Sequence, residues 1–221
     1  MKALLLNGPG QPFSIETIED PTPQKGYAVA KVLACGSGLT IQHVKAGRIT
    51  VNYPRIIGHE IIGEIVEING HGGDLEIGTP VTAFFYLTCG HCRWCNIDRE
   101  TLCDNFRGYI GREIDGGYAE YIKLPIENFI KIPEEIDYKN NLLETAVVCD
   151  AVATPLKIIK KARISSFDKV GVIGAGGGLG IHMLKMLKLN NISAIGIDTK
   201  TEKFNTCNEN GAEFSVSPME N

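Results

Sequence analysis

At residues 170–189 the chain passes from a β-branched run, Val-Gly-Val-Ile, which reads as a buried strand, through Gly174, Ala175, Gly176, Gly177, Gly178, Leu179 and Gly180 into a stretch with helically spaced apolar residues. A strand that turns through bare backbone into a helix opens a βαβ unit, because glycines permit the tight turn and let an anion reach the N–H groups at the helix start. The pattern then predicts strands at 193–197 and 213–216 and a helix at 201–210 with Gly211 beyond its end. Together these make a βαβαβ half of a doubly wound parallel sheet. The loop is not a strict G-x-G-x-x-G: the frame ending at Gly177 and Gly180 begins with Ala175, which leaves Gly174 to supply the first turn. Asp198 closes the second strand, where a carboxylate accepts hydrogen bonds from a dinucleotide ribose and repels a 2'-phosphate. That favours NAD over NADP; Lys200 and Lys203 either soften the preference or are simply solvated helix residues. The same pattern also occurs in proteins that bind no nucleotide.

The preceding part reads differently. Strand-like runs at 27–33, 61–68, 80–85 and 118–124 are separated by Gly, Pro and Asn, which predicts a mainly β domain. Helical periodicity begins near 141 and continues to 161, with Pro155 expected to open a new helix behind Thr154 as N-cap. The expected division is a β domain over 1–145 and a partial α/β domain over 146–221. A 43% hydrophobic content in 221 residues is enough for a core in each. The net charge of -4 leaves no basic surface for a phosphate backbone, so nucleic acid is not an expected partner. The opening MKALLLNGPG holds too short an apolar run for a secretory signal or a membrane span, so a cytoplasmic protein is expected.

Seven cysteines, an odd number without a secretion signal, point to metal rather than disulfides. Cys89, Cys92, Cys95 and Cys103 have the spacing Cys-x2-Cys-x2-Cys-x7-Cys within a lobe at about 86–106. Ligands two residues apart let one tight turn wrap an ion while the fourth returns from the next segment, and four thiolates suit tetrahedral zinc. A closed four-thiolate site has no open position, so it is structural. An iron–sulfur cluster shares such spacings, and four unrelated cysteines are the bland alternative.

These pieces resemble the zinc-containing medium-chain alcohol dehydrogenases along essentially the whole chain. Gly58-His59-Glu60 with Gly63 is similar to that family's metal-binding G-H-E-x-x-G. The segment from Asp115 to Tyr121, DGGYAEY, resembles the strand after its zinc lobe. The resemblance implies a GroES-like mainly-β catalytic domain followed by part of a Rossmann domain. It also implies a catalytic zinc held by His59 and Cys149, with Glu60 as an alternate ligand. The activity it implies is hydride transfer between a small alcohol and its aldehyde or ketone, with the zinc as Lewis acid and NAD as acceptor. Asp198 and Lys203 resemble the family's ribose-binding pair, and Gly174, Gly176, Gly177, Gly178, Leu179 and Gly180 its phosphate loop.

Two departures qualify that picture. Aligned without gaps, residues 34–43 (ACGSGLTIQH) resemble the family's A-C-G-V-C-H-T-D-L-H. Gly38 then stands where the first ligand Cys belongs, Leu39 where a His or Arg meets phosphate, and Ile41 where an Asp supports the ligand His. Loss of such a supporting carboxylate alone weakens metal by about 10 to 100-fold. Thr40 and His43 persist and resemble the family's proton relay. A shifted register would instead make Cys35 the ligand and Ser37 the relay hydroxyl, at the cost of misplacing His43 and Gly47. The second departure is length: only 55 residues follow Ser166, one mononucleotide half. The chain therefore reads as a fragment, a split gene product or a decayed copy, whose expected partners are an alcohol or aldehyde and either a further copy of itself or a chain supplying the absent half. The competing functions are a non-catalytic zinc-binding homologue and a zinc-independent reductase of the same superfamily.

Overall fold

The computed structural model describes residues 1–219, which divide into two compact units, one of Met1–Cys149 and one beginning at Asp150. In the first unit β1 (Lys2–Leu6), β2 (Phe13–Thr17), β3 (Tyr27–Cys35), α1 (Leu39–Lys45), β4 (Arg55–Ile56), β5 (Ile61–Asn69), β6 (Pro80–Ala83), β7 (Tyr121–Pro125), β8 (Phe129–Lys131) and α2 (Leu142–Ala146) follow in order. Two antiparallel sheets result, β2-β1-β4 and β7-β3-β5-β6-β8. Alternating small and branched residues of β3, β5 and β7 fill one core, among them Ala28, Ala30, Ile61, Ile65, Ile122 and Leu124. Each fully buried Ile or Leu there contributes about 1.5–3 kcal/mol relative to exposure. The four strands read from the sequence are present as β3, β5, β6 and β7. The last is narrower than expected, because residues 118–120 run as a crossing segment before pairing begins.

Gly63 shows why this sheet needs that residue. The pairing of β3 with β5 shifts register between Val32 and Ala34, opposite Gly63, and brings the Lys31 carbonyl within 2.5 Å of where a Cβ would stand. Any side chain there would push the strands apart.

The second unit holds α3 (Ala153–Ala162), β9 (Lys169–Ile173), α4 (Gly178–Leu189), β10 (Ser193–Ile197), α5 (Phe204–Glu209) and β11 (Phe214–Val216). Its strands are parallel in the order β11-β10-β9, the expected mononucleotide half. Val172 and Ala194 pack with Leu184 and Leu187 of α4 and Cys207 of α5. Two expectations need correction. The first strand is not buried throughout: Val172 is covered, but Ile173 on the opposite face is 85% exposed, because the sheet packs its helices on the Val172 side. Thr154 is not an N-cap either; its hydroxyl donates to Asp150 (2.7 Å), and a π turn at Val148–Val152 runs directly into α3. Pro155 then lies in the first turn of α3, where a missing N–H costs no helical bond. The predicted 201–210 helix begins as a 3-10 turn at Thr201–Lys203. Among the described residues no helix is long and apolar enough to cross a membrane.

Candidate metal and cofactor sites

The lobe between β6 and β7 is shaped by its cysteines. Gly90 takes φ 73°, the left-handed turn that brings Cys92 back beside Cys89, and a 3-10 turn at Cys95–Ile97 returns the third thiol. The Sγ atoms lie 3.5 Å apart for Cys89–Cys103 and Cys92–Cys95 and 3.9 Å for Cys92–Cys103, with all four within 4.8 Å of one another. Zinc–sulfur bonds of about 2.3 Å in a tetrahedron place the sulfurs about 3.8 Å apart, so the four residues fit a zinc ion. All seven cysteines are free thiols. The His91 backbone N–H draws the Cys89 thiol down to about 6, and the Cys95 N–H lowers that of Cys92. Burial and the neighbouring thiols push Cys95 up to about 11. Cys89 is thus poised as thiolate, and an incoming ion displaces the thiol protons it meets. Outside, Trp94 Nε1 donates to Asp104 (3.1 Å) and Arg93 pairs with the same carboxylate (3.3 Å) while lying over the Trp94 ring.

His59 and Glu60 lie buried between β4 and β5, placed by a crossing of main chains. Gly117 N–H donates to the Gly58 carbonyl (2.9 Å) and Tyr118 N–H to that of Ile57 (3.0 Å). A Cβ on Gly116 would stand 2.1 Å from the Gly58 oxygen, one on Gly111 2.9 Å from the Gly58 nitrogen, and one on Gly58 2.7 Å from the Tyr118 ring. Gly58 itself adopts φ 98°. The His59 ring is held by Phe85, with centroids 4.9 Å apart. Cys149 is brought next to this segment, its thiol donating to the carbonyls of His59 (3.8 Å) and Ala146 (3.7 Å).

The segment 34–43 approaches from β3 and α1. The Glu60 carboxylate lies 2.6 Å from the position of a Cβ on Gly36 but 3.6 Å from one on Gly38, so position 38 has room for a side chain and position 36 has none. Cys35 packs on backbone, its sulfur 2.8 and 3.0 Å from where a Cβ on Gly58 or Gly117 would stand. Burial pushes its thiol well above the ordinary range, and the nearby Cys149 and Glu60 add to this. Tyr118 Oη donates to the Gly36 carbonyl (3.2 Å). Thr40 and His43 share one face of α1, a turn apart. His43 Nδ1 lies 3.3 Å from Arg48 Nη1; a guanidinium only donates, so Nδ1 accepts and the remaining N–H is on Nε2.

Of the expected second set, His59 and Glu60 are buried and the Cys149 thiol packs against the His59 carbonyl. Among the described residues the cysteine lobe is the one cluster of three or more His, Cys, Asp or Glu arranged to hold an ion. Gly38 offers no donor, Ile41 is buried apolar packing, and the Cys149 thiol is engaged by backbone carbonyls. The set therefore lacks the thiolate that the resemblance places at position 38.

In the second unit Gly174 takes φ 74° and makes the first turn of the glycine loop. Gly177 caps α4, with Gly178, Leu179 and Gly180 in its first turn. A Cβ on Gly180 would stand 2.3 Å from the Gly174 oxygen, so the helix crosses the loop at backbone contact. Asp198 accepts from the N–H groups of Gly176 (2.8 Å) and Lys200 (3.0 Å), which hold its carboxyl below the usual range. Lys203 Nζ donates to the Gly176 carbonyl (2.9 Å). Lys203 is therefore half-buried against the loop rather than merely solvated, a role its spacing did not reveal.

A mainly antiparallel unit carrying a four-thiolate lobe, followed by a parallel unit with a glycine loop, is the architecture of medium-chain dehydrogenases. Residues 24–134 match the alcohol dehydrogenase GroES-like domain, and the chain belongs to that family, the zinc-containing medium-chain alcohol dehydrogenases. It is 30% identical over 204 residues to acryloyl-coenzyme A reductase of Sulfurisphaera tokodaii, an alignment covering 92% of this chain and 60% of the relative. It is 28% identical over 232 residues to an NAD-dependent alcohol dehydrogenase of Sulfolobus acidocaldarius, covering 100% of this chain and 65% of the relative. The cobalt- and zinc-bound thermostable alcohol dehydrogenase of Pyrobaculum aerophilum superimposes with a TM-score of 0.89 at 29% identity, covering 99% of this chain and 66% of that one. The chain thus spans about three fifths to two thirds of the length of these relatives.

Proposed function

We propose that this chain serves an NAD-linked oxidoreductase of the alcohol dehydrogenase type, interconverting a small alcohol and its aldehyde or ketone. Residues 1–149 form its catalytic unit and the residues from Asp150 on the adenosine half of its cofactor site. The observation that carries the reading is Asp198, held ionised by two backbone N–H groups at the mouth of a glycine loop that admits no side chain at position 180. Gly174, Gly176, Gly177, Gly178, Leu179 and Gly180 would present bare backbone to the pyrophosphate, and Asp198 with Lys203 would hold the adenosine ribose. NAD, when bound, supplies the hydride acceptor. The Thr40 hydroxyl would take the substrate proton and His43 would carry it outward. The four thiolates of Cys89, Cys92, Cys95 and Cys103 hold a structural zinc.

A second reading is favoured by Gly38 and Ile41: a chain that keeps the fold and the lobe's zinc but assembles no metal for hydride transfer. A reductase of the same superfamily stands between the two, and the likeness to an acryloyl-coenzyme A reductase supports including it. Fluorescence titration with NADH and NADPH tests the first reading. NADH binding at least about tenfold tighter than NADPH, or 1.4 kcal/mol, is expected from the charge on Asp198. Binding of neither dinucleotide, with one zinc per chain by elemental analysis, selects the second.

A further inference from the structure

We infer that the cysteine lobe and His59 are coupled through a stack of aromatic rings, so that filling or emptying the lobe with metal changes the environment of His59. This rests on the lobe holding a metal ion, and it assigns the rings between two sites a job that neither site requires of them.

The lobe is a loop with a zipped stem. Ile110 N–H donates to the Phe85 carbonyl (3.0 Å), Leu87 N–H to Gly108 (2.9 Å) and Arg107 N–H to Leu87 (2.8 Å), with Tyr86 and Tyr109 facing each other as a β-bridge. Cys89 follows one end of that stem and Cys103 precedes the other, so an ion that fixes both sulfurs also fixes the register of the two strands. The stem carries the rings. Phe106 meets Tyr109 at 4.9 Å between centroids, Tyr109 meets Tyr86 at 5.1 Å, Tyr86 meets Phe85 at 4.8 Å, and Phe85 meets His59 at 4.9 Å. Each contact is edge-on or tilted, the geometry aromatic quadrupoles prefer. On the far side Asn128 Nδ2 donates to the carbonyls of Phe84 (2.6 Å) and Tyr86 (2.9 Å), anchoring the strand that bears two of the rings.

Close-packed interiors pass a displacement along rather than absorb it. Four-thiolate lobes take their folded form with the metal, and without it the stem loses the covalent tie at its open end. The Tyr86–Tyr109 bridge then frays, Phe85 is freed, and His59 loses the ring that orients it. His59 stays attached to its glycine crossing, so its ring, not its backbone, should report the change.

The test uses the zinc-loaded full chain with 15N-labelled histidine. Its five imidazoles are followed by NMR, with His59 assigned through His59→Gln. Removing zinc with a chelator should at least double the His59 linewidth or displace its resonance, while His182 in the other unit stays in place. In Phe85→Leu, which removes the ring that Tyr86, Tyr109 and His59 all meet, the same removal should leave His59 unmoved; Phe85→Met replaces it if that variant does not fold. A wild-type His59 signal unchanged as zinc leaves overturns the coupling alone. An equal response in the ring variant also overturns it, since His59 would then be reporting a metal of its own. Absence of zinc from the lobe by elemental analysis overturns the coupling together with the metal assignment.

Discussion

Restoring a thiol at position 38 is the sharpest perturbation this chain offers. Gly38 has φ -80° and ψ 177°, extended backbone open to any residue, and a Cβ there meets nothing closer than the Glu60 carboxylate at 3.6 Å. Removing a glycine stiffens the unfolded chain, worth about 0.4–1 kcal/mol, and giving up glycine as N-cap of α1 costs a few tenths to about 1 kcal/mol. Gly38→Cys should therefore fold with stability within about 0.5 kcal/mol of the parent by these two terms. With His59 and Cys149 nearby, the new thiolate completes a two-sulfur, one-imidazole set, and elemental analysis should rise from one zinc per chain to two. At zinc one hundred times its dissociation constant the second ion adds about 2.7 kcal/mol, which thermal unfolding would register as roughly 5–10 °C in Tm. Gly36→Cys is the control: its Cβ would stand 2.6 Å from Glu60 Oε2 and 2.9 Å from Val147 Cγ1, so overpacking should cost about 1–3 kcal/mol and add no metal. A folded Gly38→Cys protein that still carries one zinc, with Tm unchanged by added zinc, would refute the alignment of residues 34–43 and the geometry argued from it.

Gly180→Ala forces a methyl to 2.3 Å from the Gly174 oxygen and should destabilise the second unit by about 1–3 kcal/mol, weakening NADH about tenfold or more by fluorescence; unaltered binding would contradict the backbone contact. Zinc affinity of the lobe should fall as pH drops, since protons compete for the thiolates. Below pH 6, where Cys89 takes its proton, the fall should steepen by about a further tenfold per pH unit, and a competition titration showing no break there would exclude the role given to the His91 N–H. Tyr138 donates to Glu64 (2.6 Å), which pushes its phenol up to about 12, so Tyr138→Phe should cost about 1–2 kcal/mol in denaturant unfolding at neutral pH. Because the folded value lies above the unfolded one near 10, the difference from wild type should persist up to pH 10 and vanish as pH rises through 12.

Local chemistry made parts of this molecule readable in advance. The spacing of Cys89, Cys92, Cys95 and Cys103 carries a metal geometry within fifteen residues, and the glycine loop carries its own turn, so both are visible without tertiary knowledge. Strands rich in β-branched and small apolar residues, such as β3 and β10, fall where their runs place them. Contacts between distant segments were not visible. Nothing near Cys35 says that it packs on Gly58 and Gly117, and nothing near Lys203 says that its ammonium reaches the Gly176 carbonyl. The rings of Phe85 and Tyr86 before the lobe and Phe106 and Tyr109 after it are a mirrored pattern that the sequence does display, but their meeting at His59 emerges only when the stem closes. The burial of the first α/β strand was overestimated because a β-branched run reports a preference for strand, not the number of faces covered.

The crossing at Gly58, Gly111 and Gly116 has a consequence for descent. The backbone of His59 is fixed by main chain at three sites where no side chain fits, whereas the residues that would complete a reaction at 38, 39 and 41 hang from a separate strand end and a short helix. Drift can therefore erase or exchange chemistry at those positions without loosening the frame. A chain built this way can lose or gain a ligand at position 38 while its skeleton stays the same.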